Sequence, residues 1–329
     1  MKRFTSITPV CLALFFSTAT LFAAKEQPIA TTAKFEFFNN YWTNLHHFLY
    51  EKSQTAHAAV VTDSIENQLI AGLSKEEKKI YDESLEFYKK YLAKRTLVRD
   101  EVMEDLRRWL IQFGEKDTPA SDSIEASYVQ LLKNFNPVYK KHFWKLHSDR
   151  NKEVLNKYLP TIKKIESEVF QNIATSAQAE WPEGKMRVDL SVHASRSGGY
   201  NFLNPTIILV STANERVEGT QFIEMLFHEA SHTIISEDSG AISSNIARAS
   251  KILGKEPPYD FWHMVLFYIV GKSTQEALAK QGIEHQPHME MHGIAKRYYN
   301  VLNDNMEIYM DRKISLYEAL RRTIDKAYN

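Results

Sequence analysis

The sequence predicts an α+β protein that is predominantly α, with an N-terminal helical region and a core holding a small sheet and one buried helix. Three observations carry this expectation. Apolar residues recur at three- and four-residue spacing along most of the chain. Glycine and proline, which most often interrupt helices, number only 11 and 10 among 329 residues. Only two short stretches, residues 186–192 and 205–210, read as strand.

The elements follow in order. Lys2 and Arg3 begin a basic start, an apolar run follows to Phe22, and Ala23-Ala24 precedes the charged Lys25-Glu26. This is the pattern of a secretory signal peptide over residues 1–24, cut near Ala24, and it predicts a periplasmic or secreted protein. Cys11 is the one cysteine, so the exported chain has neither a disulfide nor a thiolate to act as nucleophile or metal ligand. Residues 25–180 read as helices. Phe35, Phe37, Phe38, Tyr41, Trp42, Leu45, Phe48 and Leu49 keep helical spacing, Ser74 and Glu77 form a capping box, and residues 155–173 repeat the pattern around Pro160. Residues 181–329 form the second unit. Residues 186–192 alternate apolar and polar, residues 195–200 read as a glycine-bearing loop, and residues 205–210 read as a strand that Pro205 marks as an edge. Helix resumes near Val217. Lys+Arg and Asp+Glu balance at 41 each, which gives no basic field for nucleic acid. Residues 261–270 are apolar but too short to span a membrane.

One motif carries chemistry. Residues 222–235 contain His228-Glu229-Ala230-Ser231-His232, the pattern H-E-x-x-H. Two imidazoles four apart share a helix face and reach one cation, while Glu229 stands on the adjacent flank, placed to take a proton from water. Zn²⁺ suits neutral imidazoles in a tetrahedral set with one open position. The surrounding helix is apolar nearly all round, and burying Glu224, His228, Glu229 and His232 without partners costs several kcal/mol, on the order of 2–7 per group.

The motif resembles that of the zincin superfamily of metallopeptidases, and the resemblance extends loosely over residues 186–280. It implies a motif helix beneath a small sheet, with an edge strand that binds extended substrate. Residues 25–180 carry none of that superfamily's motifs. The third ligand departs from its usual templates. Ile235 stands where one group has glycine, and Glu256 falls in a loop between Gly254 and Pro257. Glu276 fits a capping box with Ser273. His263, on an apolar helix begun by Pro257-Pro258 and ended by Gly271, is the expected third ligand, with Glu276, Glu256 and Asp238 behind it. Zincins commonly give stabilisation of the oxyanion to a Tyr, His or Arg. Tyr268 is the expected catalytic partner here, and Tyr259 is the alternative. Glu224 is a candidate to orient a ligand. Arg196 is a candidate for a substrate carboxylate. His288 and His292 are a candidate second metal pair.

The expected function is an exported zinc metallopeptidase that hydrolyses peptide or protein substrates, with Glu229 as general base. Two alternatives stay open: a non-peptidase metal hydrolase on the same site, and a non-catalytic helical module of the envelope with a structural metal site.

Overall fold

A computed structural model describes residues 26–54, 64–121 and 124–327, and the expected leader lies outside these described residues. The sheet contains β1 (Ala30–Thr31), β2 (Phe35–Phe38), β3 (Met186–Ser191), β4 (Gly199–Phe202) and β5 (Ile207–Ser211), in the order β1-β2-β3-β5-β4. β2, β3 and β5 run parallel, and β1 and β4 pair antiparallel at the two ends.

Helices cover both faces. On one face lie α1 (Tyr41–Ser53), α2 (Ser64–Ala71), α3 (Lys75–Tyr91), α4 (Glu101–Leu110) and α5 (Ala126–His142), around an aromatic cluster of Trp42, Phe48, Tyr88, Phe135 and Tyr139 that reaches Tyr200 and Leu209. The other face carries α6 (Trp144–Ala177), α7 (Gln221–Ser231), α8 (Gly240–Leu253) and α9 (Phe261–Ala279), with α10 (His288–Met291), α11 (Lys296–Met310) and α12 (Leu316–Lys326) completing the layer. There Val188, Leu190, Ile208 and Val210 meet Ile165 and Val169 of α6, Phe222 and Leu226 of α7, and Val265 and Ile269 of α9. Each such side chain, fully buried, contributes about 1.5–3 kcal/mol of transfer free energy. All five residues of β5 are buried, as a strand covered on both faces requires.

The predominantly α, α+β class is what the sequence predicts, and the Ser74–Glu77 capping box forms with both reciprocal bonds, at 3.2 and 3.0 Å. Several elements differ from expectation. Residues 35–38 are strand rather than helix, because Phe35 and Phe37 pack on one face while Glu36 turns to the other. The stretch with Pro205 is interior, whereas the supposed loop near Gly199 is the edge strand β4. Proline is tolerated because Pro205 precedes β5 and lies outside its ladder. Gly271 lies inside α9 rather than ending it, and Ser273 and Glu276 are interior too, so no capping box forms there. A Cβ on Gly271 would lie 2.9 Å from Pro287 Cβ and 3.1 Å from Glu224 Oε1, so the glycine serves close approach. The expected boundary near residue 180 does not separate two cores. β2 pairs with β3, and α6 shares one hydrophobic cluster with α7 and α9. Among the described residues no helix is long and apolar enough to cross a membrane.

Candidate metal centre

α7 is buried along its whole length, wedged between the sheet and α9. The spacing of the motif puts His228 and His232 on its α9-facing side, with ring centroids 5.0 Å apart. His263, in the first turn of α9, completes a nearly equilateral triangle, 5.1 Å from each. One ring nitrogen from each of the three lies within 4.8 Å of the others. Of the four candidates for third ligand, His263 alone joins the pair. Asp238 lines the same cleft outside this cluster, Glu256 is an exposed residue of the loop between α8 and α9, and Glu276 lies more than three turns along α9 from His263.

Asp260, the residue before α9, adopts φ +57° and accepts a hydrogen bond from His263 Nδ1 at 3.0 Å. That bond fixes the proton on Nδ1 and turns the Nε2 lone pair inward, where it meets His228 Nε2 at 3.2 Å. Two nitrogens bound at about 2.0–2.1 Å to one tetrahedral ion lie about 3.3–3.4 Å apart, so the spacing fits a shared cation. Burial first, and then His232 and His263, push the His228 pKa well below its usual range; burial and His263 lower His232 to about 3. Both imidazoles are therefore neutral donors at physiological pH. His228 Nδ1 is buried and has no hydrogen-bond partner. A convergent, all-nitrogen set of this kind suits a divalent transition-metal ion.

Glu229 stands beside this triangle. Burial pushes its carboxyl up to about 8, opposed by a hydrogen bond from Asn201. Asn201 Nδ2 donates to Glu229 Oε2 at 2.8 Å and to the Glu229 carbonyl at 3.1 Å. Asn201 belongs to β4, which presses against α7. A Cβ on Gly199 would lie 2.8 Å from Met225 Cγ, so only glycine lets the strand approach so closely. The imidazoles, Glu229 and β4 line one cleft of about 790 Å³, walled also by Val98, Arg99, Glu104 and Trp262. Arg99 and Glu237 meet across its mouth at 3.6 Å. Tyr259 on the rim is 93% exposed, and Val98 and Leu203 add exposed apolar surface.

Other candidates fall elsewhere. Tyr268 is not brought to the cleft. It is five residues beyond His263, on another face of α9, and its hydroxyl donates to Asn303 Oδ1 at 3.1 Å. Glu224 faces away from the imidazoles, accepting from His285 Nε2 at 2.6 Å and from the His288 N–H at 2.8 Å. His288 Nδ1 pairs with Gln221 Oε1 and His292 Nε2 with the Arg216 carbonyl; the two ring centroids lie 4.3 Å apart, and among the described residues no third ligand joins them. Arg196 is exposed and outside the cleft lining.

Sequence reasoning missed Asn201 and a second buried group. Glu66 Oε1 accepts from His147 Nε2 and His193 Nε2, each at 2.8 Å, and Lys52 Nζ lies 2.5 Å from Oε2. These are hydrogen-bond distances, and three donors neutralise and satisfy the carboxylate, so this group needs no cation. Its members lie far apart in the chain, and no local spacing signals them. No protein-family model, curated protein or solved structure matches this chain.

Proposed function

We propose that the protein is an exported zinc metallopeptidase. The observation that carries this reading is one cleft in which His228, His232 and His263 converge, Glu229 adjoins them, and a sheet edge lies alongside. Zinc held by the three imidazoles would polarise the scissile carbonyl and acidify water. The chain's own groups account for the rest. Glu229, beside the three imidazoles in the same cleft, is the group that carries a proton. It takes one from the attacking water as the C–O bond forms and delivers it to the amine nitrogen as the C–N bond breaks. β4 offers main-chain groups to an extended peptide, and Val98, Leu203 and Tyr259 offer apolar contact to its side chains. Asp260 holds the His263 ring in its orientation. Export rests on the leader-like residues 1–24.

The test is elemental analysis and peptide-library hydrolysis on the mature chain. Expected are about one zinc per chain, lost in His228→Ala and His263→Ala, and cleavage that falls about 10²–10⁴-fold in Glu229→Gln while zinc stays bound. Protein that carries no metal after refolding in excess zinc, or unchanged turnover in Glu229→Gln, overturns the reading. Intact-mass measurement of the native protein, with an N-terminus near Lys25 expected, checks export.

A further inference from the structure

The edge strand can be read residue by residue. In an antiparallel pair, opposed residues alternate between those that exchange hydrogen bonds with each other and those whose N–H and C=O turn to the far side. The β4–β5 register places Gly199 opposite Val210 and Asn201 opposite Ile208. One step beyond, the Ser211 N–H donates to the Gly198 carbonyl at 2.8 Å. Gly198, Tyr200 and Phe202 therefore occupy the hydrogen-bonding positions, and Gly199 and Asn201 turn their main-chain groups away from β5. Among the described residues no strand lies beyond β4. The outward Gly199 carbonyl is already taken, accepting from Ser195 Oγ at 2.7 Å and Ser197 Oγ at 3.0 Å. Asn201 thus presents an outward N–H and an outward carbonyl, while its side chain stands off the sheet toward α7, donating to Glu229 Oε2 and to the Glu229 main-chain carbonyl.

Resting on the peptidase reading, we propose that Asn201 is a positioning residue that sets the register between substrate and base: its main chain pairs with the peptide, and its side-chain amide holds the Glu229 carboxylate. A peptide seated on β4 then lies at a fixed distance from the base, because one residue carries both contacts. The amide donates two hydrogen bonds and accepts none from Glu229, so it restrains the carboxylate without taking its proton-accepting role. The oxygen that Asn201 leaves free, Oε1, is the one available to water. The substrate class that fits is an extended polypeptide, since a compact ester or small amide has no strand to pair with Asn201.

The two contacts separate by mutation. Asn201→Ala removes only the side-chain amide and keeps the main-chain groups. Asn201→Pro removes the outward N–H, at an edge position where no ladder bond with β5 is lost. Steady-state kinetics on a peptide the wild type cleaves, with zinc content and thermal unfolding measured alongside, should show opposite splits. Asn201→Ala lowers kcat about 10–100-fold with KM within about threefold, and Asn201→Asp, of the same shape but without the donors, does the same. Asn201→Gln, which keeps an amide, recovers part of kcat. Asn201→Pro raises KM about tenfold or more. All four should retain zinc. Unchanged kcat in both Asn201→Ala and Asn201→Asp overturns the proposal, and so does a rise in KM alone in those variants. Loss of zinc or of folding in all four variants also overturns it, because the residue would then be structural. If the wild type binds zinc but cleaves no peptide, the peptidase reading itself has failed, which the wild-type arm reports separately.

Discussion

Replacing Gly199 with alanine tests the close approach of the edge strand to the motif helix. The new methyl would stand 2.8 Å from Met225 Cγ, 3.0 Å from Met225 Sδ and 3.1 Å from Glu229 Cγ. Carbon atoms pack comfortably at about 3.5–4.0 Å, so strand or side chains must give by about 0.5–1 Å. Overpacking of this size costs about 1–3 kcal/mol. Removing a glycine from a strand returns about 0.5–1 kcal/mol. The net is a loss of about 0–2.5 kcal/mol, centred near 1, read by urea unfolding. If the proposed peptidase reading holds, activity should fall further than stability does. Met225 is buried and cannot swing into solvent, so part of the shift moves β4 away from Glu229. A misplacement of about 1 Å costs about 10²-fold in rate, so kcat/KM should drop about 10–100-fold with zinc retained. Adding Met225→Ala removes the two nearest contacts and should recover activity, although the vacated space lowers stability again. Wild-type kcat/KM in Gly199→Ala would refute the claim that this contact sets the distance between strand and base.

Gly271→Ala makes the opposite forecast from helix propensity. A mid-helix glycine usually gains about 0.5–1 kcal/mol on becoming alanine, but here Pro287 Cβ at 2.9 Å belongs to a ring that cannot rotate away. A net loss of about 1–2 kcal/mol in urea unfolding is expected, and a gain would overturn the close-packing account. Glu66→Gln should destabilise the fold by about 3–5 kcal/mol at pH 7, because Lys52 loses its buried partner. Burial opposes the Glu66 charge, yet His193 and His147 outweigh it and hold the carboxyl well below the carboxylate range. A depressed folded-state pKa gives stability that is present above the unfolded value of about 4.3 and lost as pH falls below it. The wild type should therefore show an acid limb below about pH 4 that is smaller in Glu66→Gln. Equal pH dependence in the two proteins, by urea unfolding across pH 3–7, would remove Glu66 from that role.

What the sequence determined by itself is local. The i, i+4 spacing of His228 and His232 needs only a helix to place both rings on one side, and the apolar residues around them need only burial to form one. The Ser74–Glu77 cap closes within a single turn. His263 was legible for a related reason: it is a lone imidazole on an apolar helix whose start is marked by two prolines. The tertiary structure decided everything that depends on distant pairing. Residues 35–38 carry spacing that suits a helix, and they became strand because Met186–Ser191 lies beside them to share a ladder. Gly199 and Tyr200 read as part of a loop until β5 pairs with them, and β5 lies inside the sheet because β3 and β4 flank it. Tyr268 and Glu224 share helices with motif residues, but helix phase and the neighbours packed on the far faces turned them away from the cleft. The pairing of Asn201 with Glu229 has no sequence signature. It exists because a glycine in β4 lets a strand settle against a helix 28 residues further along, a contact made by packing rather than by spacing.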